Sequence, residues 1–149
     1  KCMRVILGAD HGGFEVKEKL VVFLEEKGYE VEDVGAYQQQ GEDDYVDYAQ
    51  KAMVEMKEGD RAILLCRNGM GMCIAANKFK GVRCGLGYEL EAVRKGRIDD
   101  DINVLTLPVD YMSFEVIKEM IKIFLGTEFS TEEKYARRIK KIVELEQKW

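Results

Sequence analysis

The stretch from Ala62 to Lys78, AILLCRNGMGMCIAANK, limits what this chain can become. Ala62–Leu65 is apolar without alternation and reads as a strand buried on both faces of a parallel sheet. It ends at Cys66. Arg67, Asn68, Gly69 and Gly71 follow as a glycine loop, and Met72–Asn77 reads as a small-residue helix. Strand, glycine loop and helix in this order point backbone N–H groups and a helix N-terminus at an anion. Cys66 falls at the carboxyl end of the strand, where open parallel sheets bind their ligands. A thiol at a positive helix end is expected to have a lowered pKa and a larger thiolate fraction. The plainer reading is a buried core thiol, because free cysteines usually are buried. A second site in the chain decides between the two.

That second site is at the start. Met3–Ala9 reads as the first strand and runs directly into Asp10-His11-Gly12-Gly13. Phe14, Val16, Leu20, Val21, Phe23 and Leu24 then recur at helical spacing. Asp10 and His11 therefore occupy a strand-to-helix loop at the same sheet edge as Cys66, and the glycines let backbone approach a ligand closely. Tyr29–Val34 reads as a second strand, and Ala36–Asp43 as a polar loop. Asp44-Tyr45 leads into a helix ending near Glu58-Gly59, and Arg61–Cys66 is the third strand. Val82–Leu86 reads as a short fourth strand and Tyr88–Lys95 as a helix. Arg97–Asp101 reads as a charged loop carrying Asp99 and Asp100, and Asn103–Leu107 as a fifth strand stopped by Pro108. Ser113–Leu125 is an amphipathic helix. Ser130-Thr131-Glu132-Glu133 reads as a capping box opening a long C-terminal helix with a basic face. Alternating strands and helices predict an α/β fold. It is a single Rossmann-like domain over residues 1–149: a three-layer sandwich with a five-stranded parallel sheet and right-handed crossovers.

Composition narrows the partners. A net charge of -5 argues against a nucleic-acid surface, and no apolar run approaches the ~20 residues of a membrane span. Nothing before the first strand reads as a signal peptide. The cysteines at 2, 66, 73 and 84 have neither paired spacing nor disulfide-scaffold density. They read as reduced thiols of a cytoplasmic protein. His11 is the single histidine, so zinc is not expected and no metal or cofactor is assigned.

With both loops in place the sequence resembles the ribose-5-phosphate isomerase B family, which includes the subunits of galactose-6-phosphate isomerase. The resemblance rests on Gly8-Ala9-Asp10-His11-Gly12-Gly13-Phe14 with Lys17-Glu18, on Gly28 through Gly35, on Asp44-Tyr45 and on Cys66-x-x-Gly69-x-Gly71. It continues in Ala75-Ala76-Asn77-Lys78, Gly81-Val82-Arg83, Asn103-Val104-Leu105, Arg138-Ile139 and Ile142. It implies a metal-independent aldose–ketose isomerase that opens a phosphorylated pentose or hexose and moves a proton between C1 and C2 through an enediolate. In this implied site Cys66 is the base and the N–H groups around Asn68, Gly69 and Gly71 form the anion hole. Asp10 and His11 contact substrate, Tyr45 lines the pocket, and Arg138 binds phosphate, partly across a subunit boundary. A homodimer or homotetramer with shared sites follows. The physics agrees, since deprotonating carbon beside a carbonyl needs a positioned base and donors for the developing oxyanion.

The departures sharpen the expectation. Arg67 and Asn68 replace the family's glycine and threonine after the cysteine, so a long cation reaches a substrate charge or fills the pocket. Asp99 aligns with the family's ring-opening histidine and is carried as a third catalytic candidate, with Asp100 beside it as a substrate contact. Lys134 and Asp110 align with two phosphate-binding arginines. These changes point to a substrate other than ribose 5-phosphate. They also leave open a non-catalytic sugar-phosphate-binding protein, or a subunit that needs a homologous partner chain.

Overall fold

In the computed structural model, which describes residues 3–39 and 41–149, every residue of the strand Arg61–Cys66 is buried. Both of its faces are covered, as its unbroken apolar run demands. In chain order the elements are β1 (Arg4–Ala9), α1 (Phe14–Glu26), β2 (Glu30–Gly35), α2 (Tyr45–Glu55), β3 (Arg61–Cys66) and α3 (Met70–Ala76). They continue as β4 (Cys84–Leu86), α4 (Leu90–Asp100), β5 (Val104–Pro108), α5 (Phe114–Gly126) and α6 (Glu133–Lys148), with one 3₁₀ turn at Val109–Tyr111. The five strands form one parallel sheet in the order β2-β1-β3-β5-β4. This is the expected α/β sandwich.

Two cores sit on the two faces. Val5, Leu7, Ile63 and Leu65 meet Leu20 and Leu24 of α1, Val93 of α4, and Ile117, Ile121 and Phe124 of α5. Ile6, Leu64 and Cys66 meet Ala49 and Ala52 of α2 and Met72 and Ala76 of α3. Each fully buried leucine or isoleucine contributes roughly 1.5–3 kcal/mol. Cys66 therefore faces the α2–α3 layer.

The sheet order has a functional consequence. The chain winds outward from β1 to β2 on one side and from β3 to β5 and β4 on the other. The switch point lies between β1 and β3, and ligands of open α/β sheets bind at the carboxyl ends there. Asp10 follows β1 and Cys66 ends β3, so the two candidate loops flank it.

Several elements differ from the sequence expectation. Arg97–Asp101 is no loop, because α4 runs to Asp100. Arg97 is 2% exposed, and its guanidinium donates to Asp101 Oδ1, Ile102 O and Thr127 O. Those bonds close the helix end, with Asp101 in the left-handed conformation. Helix α2 stops at Glu55, where the chain turns extended and Asp60 receives the Lys57 N–H. Strand β4 is confined to Cys84–Leu86, because Arg83 N–H bonds the Asn103 side chain before it. Helix α3 starts at Met70, whose N–H is taken by Asn68 Oδ1. The capping box at Ser130 does not form. Ser130 Oγ accepts from Glu132 N in a local turn, and α6 begins at Glu133 without a side-chain cap. Cys66, Cys73 and Cys84 are free thiols, and Cys2 lies outside the described residues. Among the described residues no helix is long and apolar enough to cross a membrane.

Candidate active site

At the switch point a cleft of about 340 Å³ is lined by Asp10, Tyr45, Cys66, Arg67, Asn68 and Gly71. Cys66 is 5% exposed. The expectation of a lowered thiol pKa is corrected. Burial pushes the Cys66 thiol up, and the Asp10 charge adds to this. The backbone N–H groups of Met72, Gly69 and Asn68 pull the other way without overcoming it. The reason is length: α3 covers only Met70–Ala76, so its terminus offers a few N–H groups and little more against a buried sulfur.

Gly69 holds the loop in place. It caps α3 at φ +75, and a Cβ there would lie 2.6 Å from Leu86 Cδ1. Gly71 lets Tyr45 close over the cleft, since a Cβ on Gly71 would lie 2.6 Å from the Tyr45 ring. Asp10 is 6% exposed, and its Oδ1 accepts from Gly12 N (2.9 Å) and Gly13 N (3.2 Å). Burial nevertheless raises its pKa.

Arg67 neither fills the cleft centre nor stays free. Its Cγ is 2.6 Å from where a Cβ on Gly12 would stand, so the side chain crosses to the β1 loop. Its guanidinium reaches Asp110 Oδ2 at 3.5 Å, while Asp110 N donates to Arg67 O. Two departures from the family pattern, Arg67 and Asp110, are thus partners in one contact.

His11 stands beside Asp10 with its side chain 24% exposed. Its Nδ1 lies 2.5 Å from Asp43 Oδ1, which also accepts the His11 backbone N–H at 3.1 Å. Gln39 Nε2 donates to His11 O. Burial alone would raise Asp43, but the His11 side chain and backbone, then Tyr48, hold its carboxyl below the usual range. Sequence reading missed Asp43. Its only signal was a place among acids at the end of a polar loop, where a solvated residue is the default. Ligand atoms of Asp10, His11 and Asp43 all lie within 4.8 Å of one another, the spacing of a cation site. Hydrogen bonds already occupy Asp10 Oδ1 and Asp43 Oδ1.

Four candidates are not brought to this cleft. Asp99 and Asp100 end α4, which feeds β5 at its start, and β5 begins beside Ala62, at the edge opposite Cys66. Within one chain Asp99 therefore does not reach the cleft that holds Cys66. Asp99 Oδ1 is buried without a hydrogen-bond partner among the described residues. Asp100 is raised by burial and by Asp99, against a lowering from Arg138. Lys134 and Arg138 flank the Tyr135 ring at 5.0 and 5.5 Å on α6.

The signature of the Ribose/Galactose Isomerase family matches residues 5–142. The chain belongs to that family. It is 32% identical over 147 residues to ribose-5-phosphate isomerase B of Escherichia coli, covering 97% of each chain. It is 32% identical over 147 residues to D-erythrulose-4-phosphate isomerase 2 of Mycolicibacterium smegmatis, covering 94% of this chain and 95% of the relative. Among solved structures, ribose-5-phosphate isomerase B of Mycoplasma genitalium with bound ribulose-5-phosphate superposes with a TM-score of 0.94. That match has 30% identity and covers 99% of this chain and 98% of the other. These relatives are sugar-phosphate isomerases, and the chain is an enzyme of that class.

Proposed function

We propose that the chain interconverts an aldose phosphate and its ketose through an enediolate, without a metal, with Cys66 as the base that moves the proton between C1 and C2. The observation that carries this is Cys66 itself: a buried sulfur at the switch point, facing the N–H groups of Asn68, Gly69 and Met72 beside the Asp10 carboxyl. A base and a set of oxyanion donors in one cleft are what proton transfer beside a carbonyl requires. Arg67, lying across Gly12, shortens the cleft toward the β1 loop and favours a short sugar. The relatives named above act on D-erythrulose 4-phosphate and ribose 5-phosphate, which supports a chain of four or five carbons. Assaying the purified chain on tetrose, pentose and hexose phosphates tests this. Turnover of the shorter sugars is expected, and a phosphosugar that raises the melting temperature but never reacts would sink the enzymatic reading.

The raised thiol gives the pH dependence its sign. Only the deprotonated sulfur accepts a proton, and a raised pKa moves the deprotonated fraction to higher pH. kcat/KM is therefore expected to climb from about pH 7 to beyond the ordinary thiol range near 8.5. A plateau already reached below about pH 7 would mean that another group is the base.

The reading includes a second copy of the chain. Helix α6 has no buried residue, and Ile142 and Leu145 are 38% and 56% exposed on it. Among the described residues, the only cation lining the cleft, Arg67, is already paired with Asp110. A homodimer or tetramer that covers α6 and carries Lys134 and Arg138 to a neighbour's cleft supplies both needs. Arg138→Ala is expected to raise KM for the phosphosugar about tenfold and to change kcat little, because a phosphate contact binds substrate and transition state alike. A monomeric mass with full activity, or an unchanged KM, would remove this assignment.

A further inference from the structure

We propose that Asp43 is a positioning residue: it locks His11 in one tautomer, with hydrogen on Nδ1, so that Nε2 moves the proton when a cyclic sugar phosphate opens. The inference rests on the isomerase reading above and adds a step that reading leaves without a group. Cys66 takes the carbon-bound proton, and Asp99 sits at the far edge of the sheet in its own chain.

The geometry is specific. The Asp43 side chain is 7% exposed and the His11 side chain 24%. One carboxylate oxygen, Oδ1, takes both the His11 backbone N–H at 3.1 Å and the ring Nδ1 at 2.5 Å. Two contacts from one residue to one oxygen fix the ring's position as well as its orientation. A carboxylate held in its ionised form is acceptor only, so the ring nitrogen facing it must be the donor. The other nitrogen, Nε2, then carries the lone pair on a partly exposed ring beside Asp10, which lines the cleft. Tyr48 stands beside the same carboxylate, raised by burial and then by the Asp43 charge. This is the arrangement by which a buried acid makes a histidine a proton carrier, holding the correct tautomer and stabilising the imidazolium when it forms.

The step balances without a co-reactant. Nε2 takes the proton of the anomeric hydroxyl while the bond from C1 to the ring oxygen breaks. O1 becomes the carbonyl oxygen, the bond's electron pair goes to the ring oxygen, and the proton on Nε2 is then delivered there. Nothing is oxidised or reduced, and His11 returns to its starting form.

Because His11 is the single histidine of the chain, its tautomer can be read directly. In ¹⁵N-histidine-labelled protein, NMR at a pH where the ring is neutral should show hydrogen on Nδ1 and a bare Nε2. Asp43→Asn should shift the ring toward the Nε2–H form. A wild-type ring already in the Nε2–H form overturns the proposal whether or not the protein is active. Kinetics supply the second readout, with ribose 5-phosphate, which closes a ring, and D-erythrose 4-phosphate, whose esterified O4 prevents a five-membered ring. Asp43→Asn should lower kcat at least tenfold on the first and less than twofold on the second. In an Asp43→Asn/His11→Asn double variant the losses should not add, because one residue acts through the other. Equal losses on both sugars, or additive losses, would show that Asp43 only supports the fold. If the wild type isomerises neither sugar, the isomerase reading is in trouble while the NMR result still decides the tautomer.

Discussion

Cys66→Ser is expected to lower kcat by about 10²–10⁴-fold, the range lost when a positioned general base is removed, while KM and melting temperature change little. The substitution exchanges sulfur for the smaller oxygen in a residue that is 5% exposed, so packing against Met72 and Leu64 is nearly kept. The N–H groups of Asn68, Gly69 and Met72 remain in place to face the hydroxyl. What disappears is basicity at reachable pH. A thiol, even one raised by burial, remains far more acidic than an aliphatic hydroxyl in the same site. Steady-state kinetics and solvent-proton exchange at C2 would both register the loss. A serine variant that still exchanges that proton at the wild-type rate would remove Cys66 from the chemistry. Asp10, the other buried acid of the cleft, would then be the remaining candidate.

The elements that place this cleft could be read from the sequence, because their signals are local. The apolar run into Cys66, the glycines after it and the Asp10-His11 pair after β1 each follow from burial and turn chemistry within a few residues. The strand order, and with it the switch point between β1 and β3, could not be read that way, since it depends on contacts between segments far apart in the chain. The same reason explains the errors. Arg97 looked like part of a solvated charged run, yet tertiary partners at Thr127 and Ile102 turn it into the buried clasp of α4. Asp43 fell in a polar loop and Asp110 at the place of a phosphate-binding arginine, and each gains its meaning from a residue more than 30 positions away, His11 at a separation of 32 and Arg67 at 43. The thiol shift had the wrong sign because burial outweighs the few N–H groups that the short α3 offers. Asp99 lies at the sheet edge opposite the Cys66 of its own chain, and Arg138, expected to act partly across a subunit boundary, sits on α6 away from that cleft.

Lys17→Met is expected to destabilise the protein by about 1–3 kcal/mol, the cost of leaving a partly buried carboxylate without its partner. At roughly 2–4 °C per kcal/mol this is a melting shift of about 2–12 °C. Lys17 belongs to α1, whose helical spacing marks Leu20 and Leu24 as core and gives no warning that a lysine lies among them at 0% exposure. Its Nζ sits 2.6 Å from Asp33 Oδ2 and 5.5 Å from the Phe14 ring centre. Asp33 Oδ1 in turn holds Gly35 N, and the next N–H, of Ala36, bonds Ala9 O. The pair thus ties the end of β2 to the residue just before Asp10. Methionine keeps the stem and the volume but leaves the Asp33 carboxylate without its cation. Lys17→Met/Asp33→Asn should recover much of the loss, because a neutral pair of similar shape avoids the isolated charge and the amide oxygen can still accept from Gly35. Below the melting transition the single variant should also lose kcat/KM, as the Ala36 contact that steadies β1 loosens. A single variant that melts with the wild type would show that this ion pair contributes no net stability. Unchanged kcat/KM beside a large melting shift would confine its effect to the fold.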